Sequence, residues 1–119
     1  MEIHEKGRQG ERRAERYLES LGWKCIGRNV RFKVGEIDLI FETSGPQGSL
    51  LILVEVRTRA IGAMANPLES LCGQKAGRLR RAGEAFLARY RGAAREVRMD
   101  LVSIEGDEVR HFPDVMPWR

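Results

Sequence analysis

The chain has 119 residues, 42% of them apolar and 32% charged, which suits one compact domain over residues 1–119 with a core of its own. Its longest uninterrupted apolar run, Leu50–Val54, is far too short to span a bilayer, and the opening MEIHEKGRQGERR lacks the apolar stretch of a signal peptide. Net charge is only +4, and Cys25, Cys72, His4 and His111 match no zinc-ligand spacing, so the expectation is a cytoplasmic domain with reduced thiols and no membrane partner.

The charge is unevenly spread. Residues 75–98 hold eight Lys or Arg against two Glu, and residues 1–34 hold nine against five. Residues 35–74 and 99–119 each hold two basic against five acidic residues. Basic surface therefore comes from helical segments and acid from the strands, a pairing that suits a polyanion bound beside a metal.

Residues 7–21 are predicted as the first helix. Ala14, Tyr17, Leu18 and Leu21 recur at helical spacing, and Gly22 supplies the stop. At 100° per residue, Glu11 falls at the edge of this apolar stripe, whereas Glu15 turns outward toward Arg12, Arg16 and Glu19. Glu11 is thus the inward-looking acid. A strand is expected over residues 25–33.

Residues 35–43 and 50–58 form the next two strands, joined around Ser44–Ser49 as a hairpin. Leu50, Ile52, Val54 and Val56 share one face of the second strand; Leu51, Leu53, Glu55 and Arg57 share the other. Apolar residues on both faces imply an interior strand. With Thr43 opposite Leu50, Asp38 falls directly opposite Glu55, their Cβ atoms about 5 Å apart. Two carboxylates at that distance repel by about 3 kcal/mol at an effective dielectric near 20. A divalent cation is the natural group to offset that cost, because hard cations take carboxylate oxygens as ligands.

Ile61–Ala65 reads as a loop. Asn66-Pro67-x-Glu69 then opens a helix, with Asn66 as cap, Pro67 at the first helical position and Glu69 closing a capping box. The helix is predicted to reach about Tyr90, with Gly73 the place for a break and Leu79, Ala82, Phe86 and Tyr90 as its core stripe. Arg78, Arg81 and Arg89 flank that stripe, and Lys75 sits at its inner edge. Residues 97–104 form another strand, Val109–Phe112 a short edge strand, and Arg98 pairs with Asp100 on one strand face. Trp23 and Trp118 are read as packing residues. The resulting class is α/β, a mixed sheet between helices in the order α-β-β-β-α-β.

Asp38 followed at a distance by Glu55-Val56-Arg57 resembles the D…(D/E)xK pattern of the PD-(D/E)xK nuclease superfamily. More closely, the chain resembles the YraN-like family of bacterial endonuclease-like proteins, through GRQGERRAERYL (7–18), RNVRFKVGEIDLI (28–40), LVEVRTR (53–59), Pro67, Lys75 and RMDLVSI (98–104). The opening KGRQGERR is also similar to the first helix of archaeal Holliday-junction resolvases, in which a glutamate in this register is an active-site acid. The resemblance implies a restriction-endonuclease-like three-layer core and metal-dependent phosphodiester hydrolysis of branched or irregular DNA. It implies an active-site acid at Glu11, the acids that hold Mg²⁺ or Mn²⁺ at Asp38 and Glu55, and the catalytic cation at Arg57. The residues themselves add the Val56 carbonyl, beside Glu55, as a further candidate ligand and Lys75 as a candidate catalytic ammonium. Arg59, Arg78, Arg81 and Arg89 would bind nucleic acid, and analogy with resolvases suggests a homodimer. Arg57 departs from the pattern: it stands where the superfamily has lysine, and arginine stays charged and cannot act as a base. A non-catalytic nucleic-acid-binding module on a nuclease scaffold is the alternative expectation.

Overall fold

The computed structural model describes residues 2–45, 48–63, 66–71 and 73–116. Helix α1 (Glu2–Ser20) precedes strands β1 (Lys24–Phe32), β2 (Gly35–Gly45) and β3 (Gly48–Arg59). A 3-10 turn (Pro67–Leu71) and helix α2 (Gly73–Arg89) lead to β4 (Glu96–Glu105) and β5 (Glu108–Phe112). The five strands lie in sequence order, all antiparallel except β3 and β4. Parallel neighbours need a long crossover, and α2 supplies it. The order is α-β-β-β-α-β-β, the expected class with the edge strand added.

Two apolar layers flank the sheet. On one face Ala14 and Leu18 of α1 pack on Leu39, Phe41, Ile52, Val54, Val102 and Ile104. On the other, Leu79 and Ala82 of α2 pack on Ile37, Ile40, Leu51, Leu53, Met99 and Leu101. β3 is buried from Leu51 to Val56 because it is covered on both sides, as its two apolar faces require. Each fully buried leucine or isoleucine there contributes about 1.5–3 kcal/mol.

The hairpin register is as expected: Thr43 pairs with Leu50 and Ser44 with Ser49, and the ladder runs to Leu39 opposite Val54. Asn66 caps its turn through Oδ1 to the Leu68 amide at 3.0 Å, and Glu69 Oε1 accepts the Asn66 amide at 3.3 Å. The helix does not run on from there. Gly73, at φ 64°, separates the 3-10 turn from α2, so the break falls where the sequence placed it. Leu21 departs from the expected stripe: α1 ends at Ser20, and Leu21 is 47% exposed. Phe86 and Tyr90 are only partly buried on the α2 layer.

Close backbone approaches set the spacing of the layers. Gly10 of α1 lies against the Thr58 side chain, where a Cβ would collide. A Cβ at Gly35 would sit 2.8 Å from the Arg78 carbonyl oxygen, so β2 touches the α2 backbone directly. At the other side of the sheet Asp100 is fully buried and fully satisfied. It accepts from Arg98 Nε at 2.8 Å, Arg98 Nη2 at 2.9 Å, His111 Nε2 at 2.7 Å and the Asp114 amide at 3.0 Å. The Arg98–Asp100 pair expected from the sequence is thus the centre of a clamp holding β5 and the segment after it. Trp23 packs edge-on to Phe41 and His111, as a packing residue should. Trp118, Cys72, Met64 and Ala65 lie outside the described residues.

Candidate active site

Asp38 and Glu55 come together where β2 and β3 part. The ladder stops at Leu39 opposite Val54, and Asp38 Oδ2 accepts the Val56 amide at 2.8 Å, taking the place of a strand carbonyl. Ile37 then packs on the α2 layer and Leu39 on the α1 layer, although strict alternation would give them one face. Asn29 on the facing strand has φ 49°, a second local departure at the same level of the sheet. These departures leave the Asp38 carboxyl beside that of Glu55, close enough to hydrogen-bond it.

Both acids are buried, Asp38 at 8% and Glu55 at 5% exposure. Burial pushes the Asp38 carboxyl up to about 8, and the Glu55 charge adds to the rise despite the Val56 amide. Burial raises Glu55 as well, with Arg57 and the Asp38 hydrogen bond opposing it. The pair therefore retains a proton at neutral pH.

Cations close over the pair. Arg57 Nη2 lies 2.6 Å from Glu55 Oε2, and Lys75 Nζ, from the first turn of α2, lies 3.4 Å from the same oxygen. The Arg57 contact is one of charge, because the same Nη2 makes no well-directed hydrogen bond. Asp38, Glu55, Arg57, Lys75, Arg78 and Glu36 line one cavity of about 220 Å³. Glu36 was not singled out by sequence reasoning. It sits two residues before Asp38, pairs with Arg31 at 2.6 Å, and raises the pKa of both Glu11 and Glu55. The i, i+2 spacing in GEIDLI was the available signal.

The remaining expected site residues are placed less centrally. Glu11 is half-buried, and its pKa is raised by burial, Glu36 and Glu55, yet its Oε1 accepts the Asn29 amide group at 3.0 Å. Among the described residues, no three Asp, Glu, His or Cys side chains converge as a metal-ligand set. Among the described residues, the acids that meet in this cavity are Asp38 and Glu55. Glu15, expected to turn outward, instead faces β1 with its side chain 13% exposed, bound by Arg28 Nε at 2.8 Å and Nη2 at 2.6 Å. Arg59, Arg81 and Arg89 do not line the cavity; Arg81 and Arg89 are exposed, and the Arg89 guanidinium lies 5.4 Å over the Phe32 ring. Among the described residues, no helix is long and apolar enough to cross a membrane.

Comparison with known proteins assigns the chain as a whole. Residues 10–104, a span holding Glu11, Asp38, Glu55, Arg57 and Lys75, match the model of "Uncharacterised protein family UPF0102". The chain belongs to this family. A UPF0102 protein of Leifsonia xyli subsp. xyli is 36% identical over 117 residues, covering 94% of this chain and 96% of its own length. One from Beutenbergia cavernae is 41% identical over 98 residues, 82% and 80% of the two chains, and one from Symbiobacterium thermophilum is 38% identical over 99 residues, 83% and 80%. UPF0102 is also the family of the YraN-like resemblance.

Proposed function

We propose that this UPF0102 protein is a metal-dependent nuclease hydrolysing phosphodiesters in branched or otherwise irregular DNA. The observation that carries the reading is the buried Asp38–Glu55 pair, set beneath Arg57, Lys75 and Arg78 in one cavity. Two adjacent carboxylates are an expensive arrangement without a cation.

The donor set fits Mg²⁺ or Mn²⁺, which need only one or two protein carboxylates beside water and substrate oxygens. Asp38 and Glu55 would hold the ion, with the Val56 carbonyl next to them, and Glu11 would act at longer range. The ion supplies Lewis-acid polarisation of the phosphoryl oxygen and a water of lowered pKa. Arg57 and Arg78 bind the non-bridging phosphate oxygens, where a fixed guanidinium fork favours two parallel hydrogen bonds. Lys75, a compact charge beside Glu55, takes the place of the lysine that Arg57 displaces. The test is cleavage of branched, flapped and single-stranded DNA with Mg²⁺ or Mn²⁺ under cytoplasmic conditions. Cleavage lost in Glu55→Ala supports the reading; no cleavage above that variant, on any substrate with either metal, contradicts it.

One observation favours a second reading, a non-catalytic nucleic-acid-binding module. Glu55 Oε2 is already met by Arg57 at 2.6 Å and Lys75 at 3.4 Å, so the site carries internal counter-charges. That reading gives binding whose log affinity falls linearly with log salt, with no turnover.

A further inference from the structure

A second and larger cavity, of about 420 Å³, lies on the α1 side of the sheet, between α1 and β1. Its acceptors are engaged within it. Glu11 Oε1 takes the Asn29 side-chain amide at 3.0 Å, and the two Glu15 oxygens take Arg28 Nε at 2.8 Å and Nη2 at 2.6 Å. Leu39, also in the lining, is 1% exposed and belongs to the core, so it offers a ligand no apolar floor. What the cavity turns outward is an arginine rim: Arg8, Arg12 and Arg16, all exposed.

These three recur every four residues, so they follow one another along α1 about 6 Å apart and span about 12 Å. A compact anion calls for donors that converge on one point. Donors repeated in a row match a ligand whose charges also repeat in a row, as the phosphates of a nucleic-acid strand do at about 3.4 Å of helix axis each. Guanidinium forks suit phosphate oxygens well. A lipid surface is a poorer match, because no large apolar side chain is exposed among the described residues of α1.

The row passes the level of the two central acids. Gly10 packs on Thr58, three residues beyond Glu55, and the Glu11 carboxyl feels the charges of Glu36 and Glu55. The two cavities nevertheless lie on opposite faces of β2, with Asp38 lining one and Leu39 the other. The arginine row is therefore a surface of its own, outside the cavity of Asp38 and Glu55.

Resting on the nuclease reading, and naming how its substrate is held, we propose that the Arg8–Arg12–Arg16 face of α1 is a docking track for the sugar–phosphate backbone. It holds about three or four nucleotides outside the Asp38–Glu55 cavity. The track grips phosphate and reads neither base nor sequence.

Fluorescence anisotropy in EDTA reads binding without turnover. The probes are a labelled single-stranded oligonucleotide and an abasic chain with the same number of phosphates, each over a range of salt. For wild type, log affinity should fall linearly with log salt. The variant Arg8→Gln, Arg12→Gln, Arg16→Gln should flatten that line by about two units of slope, at about 0.7 per phosphate contact. Its affinity at low salt should drop at least about tenfold, by the same factor for both probes. Glutamine is about as good a helix former as arginine, so α1 is retained. The variant Arg8→Lys, Arg12→Lys, Arg16→Lys keeps the charge and should restore the wild-type slope.

An unchanged slope, a loss confined to the base-bearing strand, no recovery with lysine, or no binding of either probe by wild type overturns the proposal. Unchanged DNA binding with lost binding to phosphatidylserine vesicles would give the face to a membrane instead. Cleavage and calorimetric Mn²⁺ titration separate the track from the nuclease reading. None of the three arginines lines the Asp38–Glu55 cavity, so the glutamine variant should bind Mn²⁺ within about twofold of wild type. A flattened salt line in a protein that never cleaves leaves the track standing and removes the nuclease. Cleavage by wild type and glutamine variant alike, with one salt slope, does the reverse.

Discussion

Asp38 replaces a main-chain acceptor: its Oδ2 takes the Val56 amide at 2.8 Å where the β2–β3 ladder ends. That bond does two things at once. It satisfies a buried donor that the diverging strands would orphan, and it fixes the carboxyl against Glu55. The site is thus built into the sheet rather than onto a loop.

One consequence concerns stability in the absence of metal. Asp38→Asn removes the repulsion between the two acids while leaving an oxygen for the Val56 amide. The metal-free variant should be more stable than wild type at pH 8 by about 1 kcal/mol, or a rise of a few degrees in Tm. Thermal unfolding in EDTA checks this; a clear drop in Tm would mean that the carboxylate charge is structurally required.

The same pair sets the pH dependence. The folded pKa of Asp38, about 8, lies above its ordinary value of 3.8. Between those values the unfolded chain has released a proton that the folded chain keeps, so stability falls as pH rises. The contribution is complete below pH 3.8 and gone above about 8. Asp100 works in the opposite sense. Its burial favours the neutral acid, but hydrogen bonds from His111, Arg98 and the Asp114 amide outweigh this and lower its pKa. Its contribution is present above pH 3.8 and lost as pH falls through the lowered value. Urea midpoints of the metal-free protein from pH 3 to pH 9 should show both limbs, with declining stability toward the alkaline end.

Much of this frame was legible from sequence because its causes are local. Alternating apolar residues around Ser44–Ser49 gave the hairpin, its register and the meeting of Asp38 with Glu55. Asn66, Pro67 and Glu69 gave the capped turn, and Gly73 the break. What escaped has causes distant in the chain. Asn29 reaches Glu11 only after β1 folds back on α1, and its backbone kink has no pattern signal. His111 and the Asp114 amide converge on Asp100 across the β4–β5 turn. Glu11 was placed at the right edge of its helix, but helix geometry alone does not reveal that a partner on β1 holds it.

The contact between β2 and α2 gives a structural prediction. Gly35→Ala would place a methyl 2.8 Å from the Arg78 carbonyl oxygen, and backbone cannot yield as a side-chain tip can. Forcing the layers apart should cost about 1–3 kcal/mol by denaturant unfolding. Because α2 also carries Lys75 and Arg78, cleavage should fall as well, even at temperatures where the variant stays folded.

The clamp around Asp100 should behave differently. Asp100→Ala leaves Arg98 and His111 facing an empty, partly buried space, at a cost of about 3–5 kcal/mol. Any cleavage activity, measured well below the lowered Tm, should be within a few-fold of wild type, since Asp100 lies outside the cavity of Asp38 and Glu55.

Substitutions at Arg57 and Lys75 test whether the proposed nuclease separates catalysis from binding. Lys75→Ala should lower cleavage by about 100-fold, in the range for a lost transition-state group, while DNA affinity in EDTA changes less than threefold. Arg57→Lys should raise cleavage if an ammonium at that position serves the proposed hydrolysis better than Lys75 alone. Parallel losses of rate and affinity in Lys75→Ala would assign that residue to phosphate binding alone.

The central claim is that Asp38 and Glu55 hold a divalent cation, and calorimetric titration with Mn²⁺ tests it most directly. Wild-type protein at pH 7 should bind Mn²⁺ with release of protons, read from the dependence of heat on buffer ionisation, because the metal displaces the proton that the pair retains. Asp38→Asn should bind at least about tenfold more weakly, with that release diminished. Equal Mn²⁺ binding by the two proteins, or none by either, would contradict the account.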